Sequence, residues 1–144
     1  MIRSATPDDA KSIQELYGHL IPEDPVVPFD EFAMAFTQII QAEGNVILVR
    51  EDQGRVVSTC YLNLIPNLTR SMRPYALIEN VVTHPDHRRK GYGTALLQAA
   101  MQTARDHGCY KLMLLTGSKR PSTLRFYESA GLKAKEKTGF HTRL

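Results

Sequence analysis

The segment Arg88–Thr94 combines three positive side chains with two closely spaced glycines. It follows a β-branched run that ends at Val82, and it opens a long stretch with the apolar spacing of a helix. The first amides of a helix lack intrahelical partners and carry the positive end of the helix dipole, so they bind anions. Gly91 and Gly93 let the backbone come close to a ligand. The combination predicts a site for a pyrophosphate-like group.

Two familiar phosphate-binding loops do not match this spacing. The dinucleotide fingerprint G-x-G-x-x-G needs a third glycine at the position where this chain has Leu96. The P-loop pattern G-x-x-x-x-G-K-[ST] does not occur in the sequence. The sequence therefore does not favour a site for a nicotinamide cofactor or for a nucleoside triphosphate.

The spacing R-x-x-G-x-G does occur, at Arg88, Gly91 and Gly93, and a second block follows at Leu124–Leu132. With the preceding strand and the following helix, this pattern resembles that of the GNAT superfamily of acetyl-CoA-dependent N-acetyltransferases. The second block is similar to the family's F-Y-E-x-x-G-F segment, with Leu132 where phenylalanine is common. The resemblance implies acetyl-CoA as co-substrate, and no metal is expected.

The resemblance also implies how the co-substrate is held. The strand segment Glu79–Val82 would separate from its neighbour at a bulge, and the pantetheine arm would lie in the gap like an added strand. The basic loop would hold the pyrophosphate. A backbone N–H of that strand, which we assign to Val81, would polarise the thioester carbonyl. The expected cofactor-binding residues are Val81, Val82, Arg88, Arg89, Lys90, Gly91, Tyr92, Gly93 and Thr94.

Two side chains are candidates for proton transfer under the same resemblance. Tyr127 matches the position of the family's general acid. A phenol with a pKa of about 10 is protonated at neutral pH and can therefore donate a proton to the departing sulfur. The alternative is that Tyr127 only packs beside Phe126. Glu79 is the candidate general base, acting through a water molecule, since an alkylammonium must lose a proton before it attacks. The alternative is that Glu79 merely orients the substrate or a loop.

Other reactive side chains carry less weight. Cys109 follows a helix-ending glycine and has no adjacent histidine, which favours a buried thiol over a nucleophile. His84 and His87 precede the basic loop, but no pattern of carboxylate and cysteine ligands surrounds them, so they are interpreted as surface histidines. Arg120 either reaches the 3′-phosphate of the co-substrate or is solvated, and the sequence does not separate these alternatives.

The identity of the acceptor amine is the least determined part. Two short segments, Ile78-Glu79 and Gly108–Lys111, resemble those of glucosamine-6-phosphate N-acetyltransferases. Those enzymes carry an acidic residue near the end of the following strand, where this chain has Leu115. This departure weakens the prediction of an amino-sugar phosphate as substrate.

Acidic residues gather in or near the connection between the first two predicted helices, which in this fold overlies the thioester. Such a rim attracts a cationic amine, so a basic small-molecule or peptide amine is expected rather than an anionic sugar phosphate. The residues of this acidic rim are Glu23, Asp24, Asp30 and Glu31.

Charge is divided unevenly along the chain. Residues 1–83 hold 6 basic and 11 acidic residues, whereas residues 84–144 hold 12 basic and 4 acidic residues. A basic half could bind nucleic acid, but the chain lacks tryptophan, and no aromatic residues alternate with the basic run. No nucleic-acid partner is expected. A catalytically silent acetyl-CoA-binding or sensor module on the same fold is the alternative to an enzyme.

The elements that must position these residues follow the order βααβββαβαβ. They predict an α/β (α+β) chain with a single N-acetyltransferase (GNAT) domain at residues 1–144. Its mixed central sheet of about six to seven strands is flanked by four helices. The tail after Leu132 is expected to form two short strands. Because family members often dimerise through C-terminal strands, a homodimer is expected.

Length and composition agree with a globular enzyme. The 144 residues suffice for one domain, and 42% hydrophobic with 23% charged residues is ordinary for a folded soluble protein. No apolar run approaches the roughly 20 residues of a membrane span, and the first residues lack the apolar core of a signal peptide. Two cysteines are too few for a disulfide framework, so a cytoplasmic location is expected.

Overall fold

The computed structural model describes residues 1–144. Short 3-10 turns at Pro7–Asp9 and Pro85–His87 precede α1 and α3. The regular elements, in chain order, are β1 (Ile2–Ser4), α1 (Ala10–Leu20), α2 (Phe29–Gln41), β2 (Asn45–Asp52), β3 (Arg55–Ile65), β4 (Tyr75–Thr83), α3 (Tyr92–Asp106), β5 (Leu112–Leu114) and α4 (Pro121–Ser129).

The five strands form one mixed sheet in the order β1-β2-β3-β4-β5. Neighbouring strands from β1 to β4 run antiparallel. β5 pairs with β4 in parallel, because α3 carries the chain back across the sheet between them. This single-domain α+β architecture confirms the predicted fold class.

Helices cover both faces of the sheet, and alternation along β2 assigns each side chain to a face. Ile47 and Val49 point to the face covered by α1 and α2, where they pack with Ile13 and Phe36. Leu48 points to the opposite face, against α3. The core therefore lies in two layers, with the sheet between them.

A bulge in β4 reverses this alternation. Thr59 pairs with Val82 and Tyr61 pairs with Glu79, so two residues of β4 lie opposite the single residue Cys60. Before the bulge, Ile78 packs in the layer of α3, whereas four residues later Val82 packs in the layer of α1 and α2. The bulge therefore changes which face of the sheet the end of β4 presents.

The strand count is lower than the sequence predicts. The segment after α4 forms no strand, so the expectation of about six to seven strands, two of them in the tail, is wrong. The last backbone hydrogen bond of the chain runs from the Leu132 N–H to the Tyr127 carbonyl. A strand needs a neighbouring ladder, and β5, at the adjacent edge, is only three residues long. No helix in the structure has the length and apolar character needed to cross a membrane.

Candidate active site

β4 has an open edge at its carboxyl end. β5 pairs with β4 only from Ala76 to Ile78, whereas β4 continues to Thr83. Asn80, in the bulge, has a left-handed backbone with φ of 53°, a conformation that asparagine adopts more readily than most residues. No strand pairs with this side of β4 beyond Ile78. The gap can accept an extended ligand through backbone hydrogen bonds.

Unpaired amides meet this edge at the start of α3. The first helical hydrogen bond that reaches back to the loop runs from the Ala95 N–H to the Gly91 carbonyl. The amides of Tyr92, Gly93 and Thr94 have no backbone acceptor. Unpaired amides at the positive end of a helix dipole can bind an anion.

The two glycines of the loop are needed for different reasons. Gly91 has a φ of +76° and open space where a Cβ would lie, so its backbone conformation requires glycine. Gly93 has an ordinary helical φ, but a Cβ there would lie 3.0 Å from the ring of Phe126. Sequence reasoning assigned both glycines to close approach of a ligand, whereas Gly93 lets α4 pack against α3.

A cleft of about 830 Å³ joins the open edge of β4 to the start of α3, within the range of about 300–1,000 Å³ usual for ligand pockets. Eight of the nine predicted cofactor-binding residues line it, and Lys90 does not. The predicted residues in the wall are Val81, Val82, Arg88, Arg89, Gly91, Tyr92, Gly93 and Thr94.

Side chains outside the predicted set complete the wall of the cleft. Arg120, whose role the sequence left open, lies among them. Pro121 was an available signal for the start of α4 beside the cleft, because proline is common in the first turn of a helix. The additional lining residues are His19, Leu20, Thr83, His87, Ser118, Lys119, Ser122, Thr123 and Phe126.

Tyr127 and Glu79 approach the open edge from opposite faces of the sheet. Tyr127 is half-buried in the cleft wall and packs against the layer of α3. Glu79 alternates with Ile78 and is exposed on the face of α1 and α2, outside the cleft wall. Burial raises the pKa of Tyr127 above its usual 10, and the nearby Glu79 charge raises it further. Tyr127 therefore remains a proton donor at neutral pH.

Tyr92 contributes to the cleft through its backbone rather than through its phenol. Its hydroxyl donates to Asp52 Oδ2 at 2.8 Å, and the Arg50 guanidinium lies 4.7 Å from the centre of its ring. The hydrogen bond to Asp52 raises the pKa of Tyr92. The side chain thereby ties the start of α3 to the end of β2.

The two cysteines are free and buried. Burial raises the pKa of Cys60 to about 12, and it also raises the pKa of Cys109. Neither thiol is a thiolate at neutral pH, which agrees with the interpretation of Cys109 as a buried thiol.

The acidic rim lies on the surface of the chain. All four of its carboxylates are exposed, in the connection between α1 and α2 or in the first turn of α2. The rim therefore lies on the same side of the sheet as Glu79.

Comparison with known proteins identifies the family. The family model "Acetyltransferase (GNAT) family" matches residues 12–132. The glucosamine 6-phosphate N-acetyltransferase of Trypanosoma brucei brucei is 31% identical over 136 residues, which cover 94% of this chain and 90% of that protein.

Solved structures agree with this result. An Agrobacterium tumefaciens str. C58 structure assigned as an acetyltransferase has a TM-score of 0.95 and 42% identity, covering 100% of this chain and 99% of that chain. The glucosamine-6-phosphate N-acetyltransferase of Arabidopsis thaliana has a TM-score of 0.84 and 25% identity, covering 99% of this chain and 97% of that chain.

Proposed function

Because the chain belongs to the acetyltransferase (GNAT) family and is an acetyl-CoA-dependent N-acetyltransferase, we propose that it acetylates a primary amine of a small molecule or peptide by direct attack in a ternary complex. One observation carries the proposal: the cleft joins an open strand edge, a row of unpaired helix amides and a protonated tyrosine. These three features match the three parts of an acetyl thioester substrate, which are the pantetheine arm, the pyrophosphate and the leaving sulfur.

The cleft suits the co-substrate in shape and charge. The amides of Tyr92–Thr94 and the side chains of Arg88 and Arg89 would bind the pyrophosphate. Lys119 and Arg120 also line the cleft and would bind the remaining phosphate. Beside the bulge, the free edge of β4 supplies backbone groups for the pantetheine amides.

The roles in the reaction follow from these positions. Acetyl-CoA supplies the acetyl thioester. The Val81 N–H would donate to its carbonyl oxygen and stabilise the charge that develops there. Glu79 would accept the amine proton through water, the C–N bond would form and the C–S bond would break. Tyr127 would protonate the departing sulfur, so that the second product is the free thiol.

The acidic rim supports a cationic acceptor. Glu23, Asp24, Asp30 and Glu31 are exposed on the Glu79 side of the sheet, and carboxylates in such numbers raise the local concentration of positively charged substrates. The basic side chains of the cleft are accounted for by the phosphates of the co-substrate. A second candidate acceptor is glucosamine 6-phosphate, because the related enzyme of Trypanosoma brucei brucei carries that name.

An acceptor screen separates these candidates from each other and from a silent binding module. The protein is mixed with acetyl-CoA and with polyamines, basic amino acids, basic peptides or glucosamine 6-phosphate, and the free thiol is measured. We expect turnover on cationic amines that declines with ionic strength, because exposed charges are screened by salt. Turnover on glucosamine 6-phosphate alone contradicts the cationic acceptor. Binding of acetyl-CoA without thiol release on any acceptor supports the sensor module.

We also propose a homodimer in the cytoplasm. The two free, buried thiols support a reducing compartment. The sheet ends at β5, where Met113 within the strand and Leu115 directly after it are exposed. An open strand edge with exposed apolar side chains favours association. Light scattering should give twice the chain mass, and Leu115→Glu should shift it toward the monomer. A monomer at all concentrations contradicts the dimer.

A further inference from the structure

A cluster of two imidazoles and a carboxylate lies outside the catalytic roles assigned above. Glu15 and His19 are four residues apart on α1 and therefore share one face of the helix. His84, the residue that directly follows β4, lies against that face. One ligand atom from each of the three side chains lies within 4.8 Å of the others. We propose that Glu15, His19 and His84 form a binding site for a divalent transition metal ion such as Zn²⁺.

The distances suit a shared ion. Two ligands of a tetrahedral zinc ion lie about 3.4 Å apart, given metal–ligand bonds of about 2.0–2.2 Å. The distance from His84 Nε2 to Glu15 Oε1 is 3.6 Å, and the rings of His19 and His84 are 4.9 Å apart between centroids. The three ligand atoms lie up to 4.8 Å apart, so the longest of these distances must shorten by about 1.4 Å when an ion binds. The side chains of Glu15 and His19 are exposed and can rotate to close this gap. Two imidazoles and one carboxylate favour zinc and its neighbours over magnesium or calcium.

A carboxylate is available to orient the buried member of the set. The His84 side chain is only 12% exposed, and its Nδ1 accepts a weak hydrogen bond from the Asp86 N–H at 3.3 Å. When Nε2 binds a metal, the imidazole proton resides on Nδ1. Asp86 Oδ2, at 3.8 Å, then becomes its acceptor, and the exposed Asp86 N–H turns to water. Such carboxylate–histidine pairs strengthen metal binding.

One contact opposes the metal and thereby offers a test. The Arg55 guanidinium donates to Glu15 Oε1 at 3.0 Å. It competes for the same carboxylate that the ion needs, and its positive charge repels the ion.

The site would link α1 to the end of β4 at the mouth of the cleft. His19 also lines the cleft, so the ion would lie next to the expected position of the co-substrate. This inference departs from the sequence expectation of no metal. That expectation considered only His84 and His87, because nothing in the sequence indicated that His19 returns to the end of β4.

The test is calorimetric titration of the untagged full chain with ZnCl₂, and with MgCl₂ for comparison. We expect one Zn²⁺ per chain and no binding of Mg²⁺. His84→Ala, His19→Ala and Glu15→Gln should each weaken Zn²⁺ binding by more than about tenfold. Arg55→Gln should strengthen it several-fold. His107→Ala removes an exposed histidine from the end of α3 and should leave the affinity unchanged.

Thermal unfolding without metal separates loss of the site from loss of the fold. Midpoints close to that of the parent are expected for the variants of the exposed residues Glu15, His19, Arg55 and His107. His84→Ala should lower the midpoint, because the His84 side chain is only 12% exposed. Zn²⁺ affinity that is unchanged in His84→Ala overturns the proposal. It is also overturned if His107→Ala lowers the affinity as much as His84→Ala does, because binding is then adventitious. If Arg55→Gln leaves the Zn²⁺ affinity unchanged or lowers it, the role of Glu15 as a metal ligand is contradicted.

Discussion

Tyr127 connects the local environment of one side chain to the chemistry of the cleft. Burial and the Glu79 charge both raise the pKa of its phenol, so the proton that a thiolate leaving group needs is present at neutral pH. The neighbouring Phe126 ring, 4.8 Å away between centroids, packs against the start of α3 and fixes the position of α4. Packing and reactivity therefore belong to adjacent residues of one helix.

Tyr127→Phe tests the acid role. The variant keeps the ring and loses the proton, so kcat should fall by about 10²-fold or more while acetyl-CoA affinity changes little. Tyr110→Phe is the matched control, because its ring lies against Arg70 and Lys111, away from the cleft. Steady-state kinetics and calorimetry measure the two quantities. Unchanged turnover in Tyr127→Phe contradicts the acid role and leaves another donor for the sulfur.

At the scale of elements, close packing of α4 on α3 sets the width of the cleft. Gly93 is a point of close approach, since a Cβ there would lie 3.0 and 3.1 Å from two ring atoms of Phe126. The start of α3 carries the unpaired amides proposed to bind the pyrophosphate, and α4 carries Tyr127. A change at this contact therefore moves the two parts of the site relative to each other.

Gly93→Ala should consequently lower both activity and stability. Overpacking of this kind costs about 1–3 kcal/mol, although alanine is intrinsically the better helix former. Phe126→Leu in the same chain should relieve the contact, so the two substitutions should be non-additive in a double-mutant cycle. Denaturant unfolding and kcat are the measurements.

Gly18→Ala is the control for that experiment, because Gly18 lies in helix α1 and has no atom within 4 Å of the position that a Cβ would occupy. It should stabilise the protein by up to about 1 kcal/mol and leave kcat unaltered. Strict additivity of Gly93→Ala and Phe126→Leu would mean that the contact with Phe126 does not limit the position of α4.

The sequence predicts the helices and strands better than it predicts the contacts between them. The long helix, the hairpin of β2 and β3 and the phosphate-binding loop follow from local spacing, glycines and capping residues. The bulge in β4 depends on pairing with β3, and the path of α1 to the end of β4 depends on packing, so neither has a local signal. His19 was missed for the same reason. The strands expected in the tail do not form because no strand pairs with them, and the local sequence does not show whether a pairing partner is present.

At the scale of the whole molecule, buried protons make stability depend on pH. Burial raises the pKa of Cys60 to about 12. Burial also raises the pKa of Tyr17 to about 12, although a hydrogen bond between Tyr17 and Asn80 lowers that pKa in part. In the unfolded chain the thiol loses its proton near pH 9 and the phenol near pH 10, whereas in the folded protein both keep their protons until about pH 12. In the range between these values the folded state binds more protons than the unfolded state. The free energy of unfolding must therefore fall as pH rises through this range.

Cys60→Ala isolates one of these groups. The cavity should lower stability at pH 7, but the decline between pH 9 and 11 should be less steep by up to about 1.4 kcal/mol per pH unit, because one titrating thiol is gone. Urea unfolding at several pH values gives the slope. Parallel curves for the parent and the variant show that Cys60 does not ionise on unfolding.

Calorimetric titration with acetyl-CoA tests the central claim that the cleft between β4 and α3 is the co-substrate site. The parent should bind one equivalent, and Gly91→Val should lose more than about tenfold in affinity, because valine resists the φ of +76° that aims the loop amides. Gly108→Val is the matched control: Gly108 has a φ of +74° and open space at the other end of α3, and its variant should bind normally. A folded parent that does not bind, or equal losses in both variants, contradicts the assignment of the cleft.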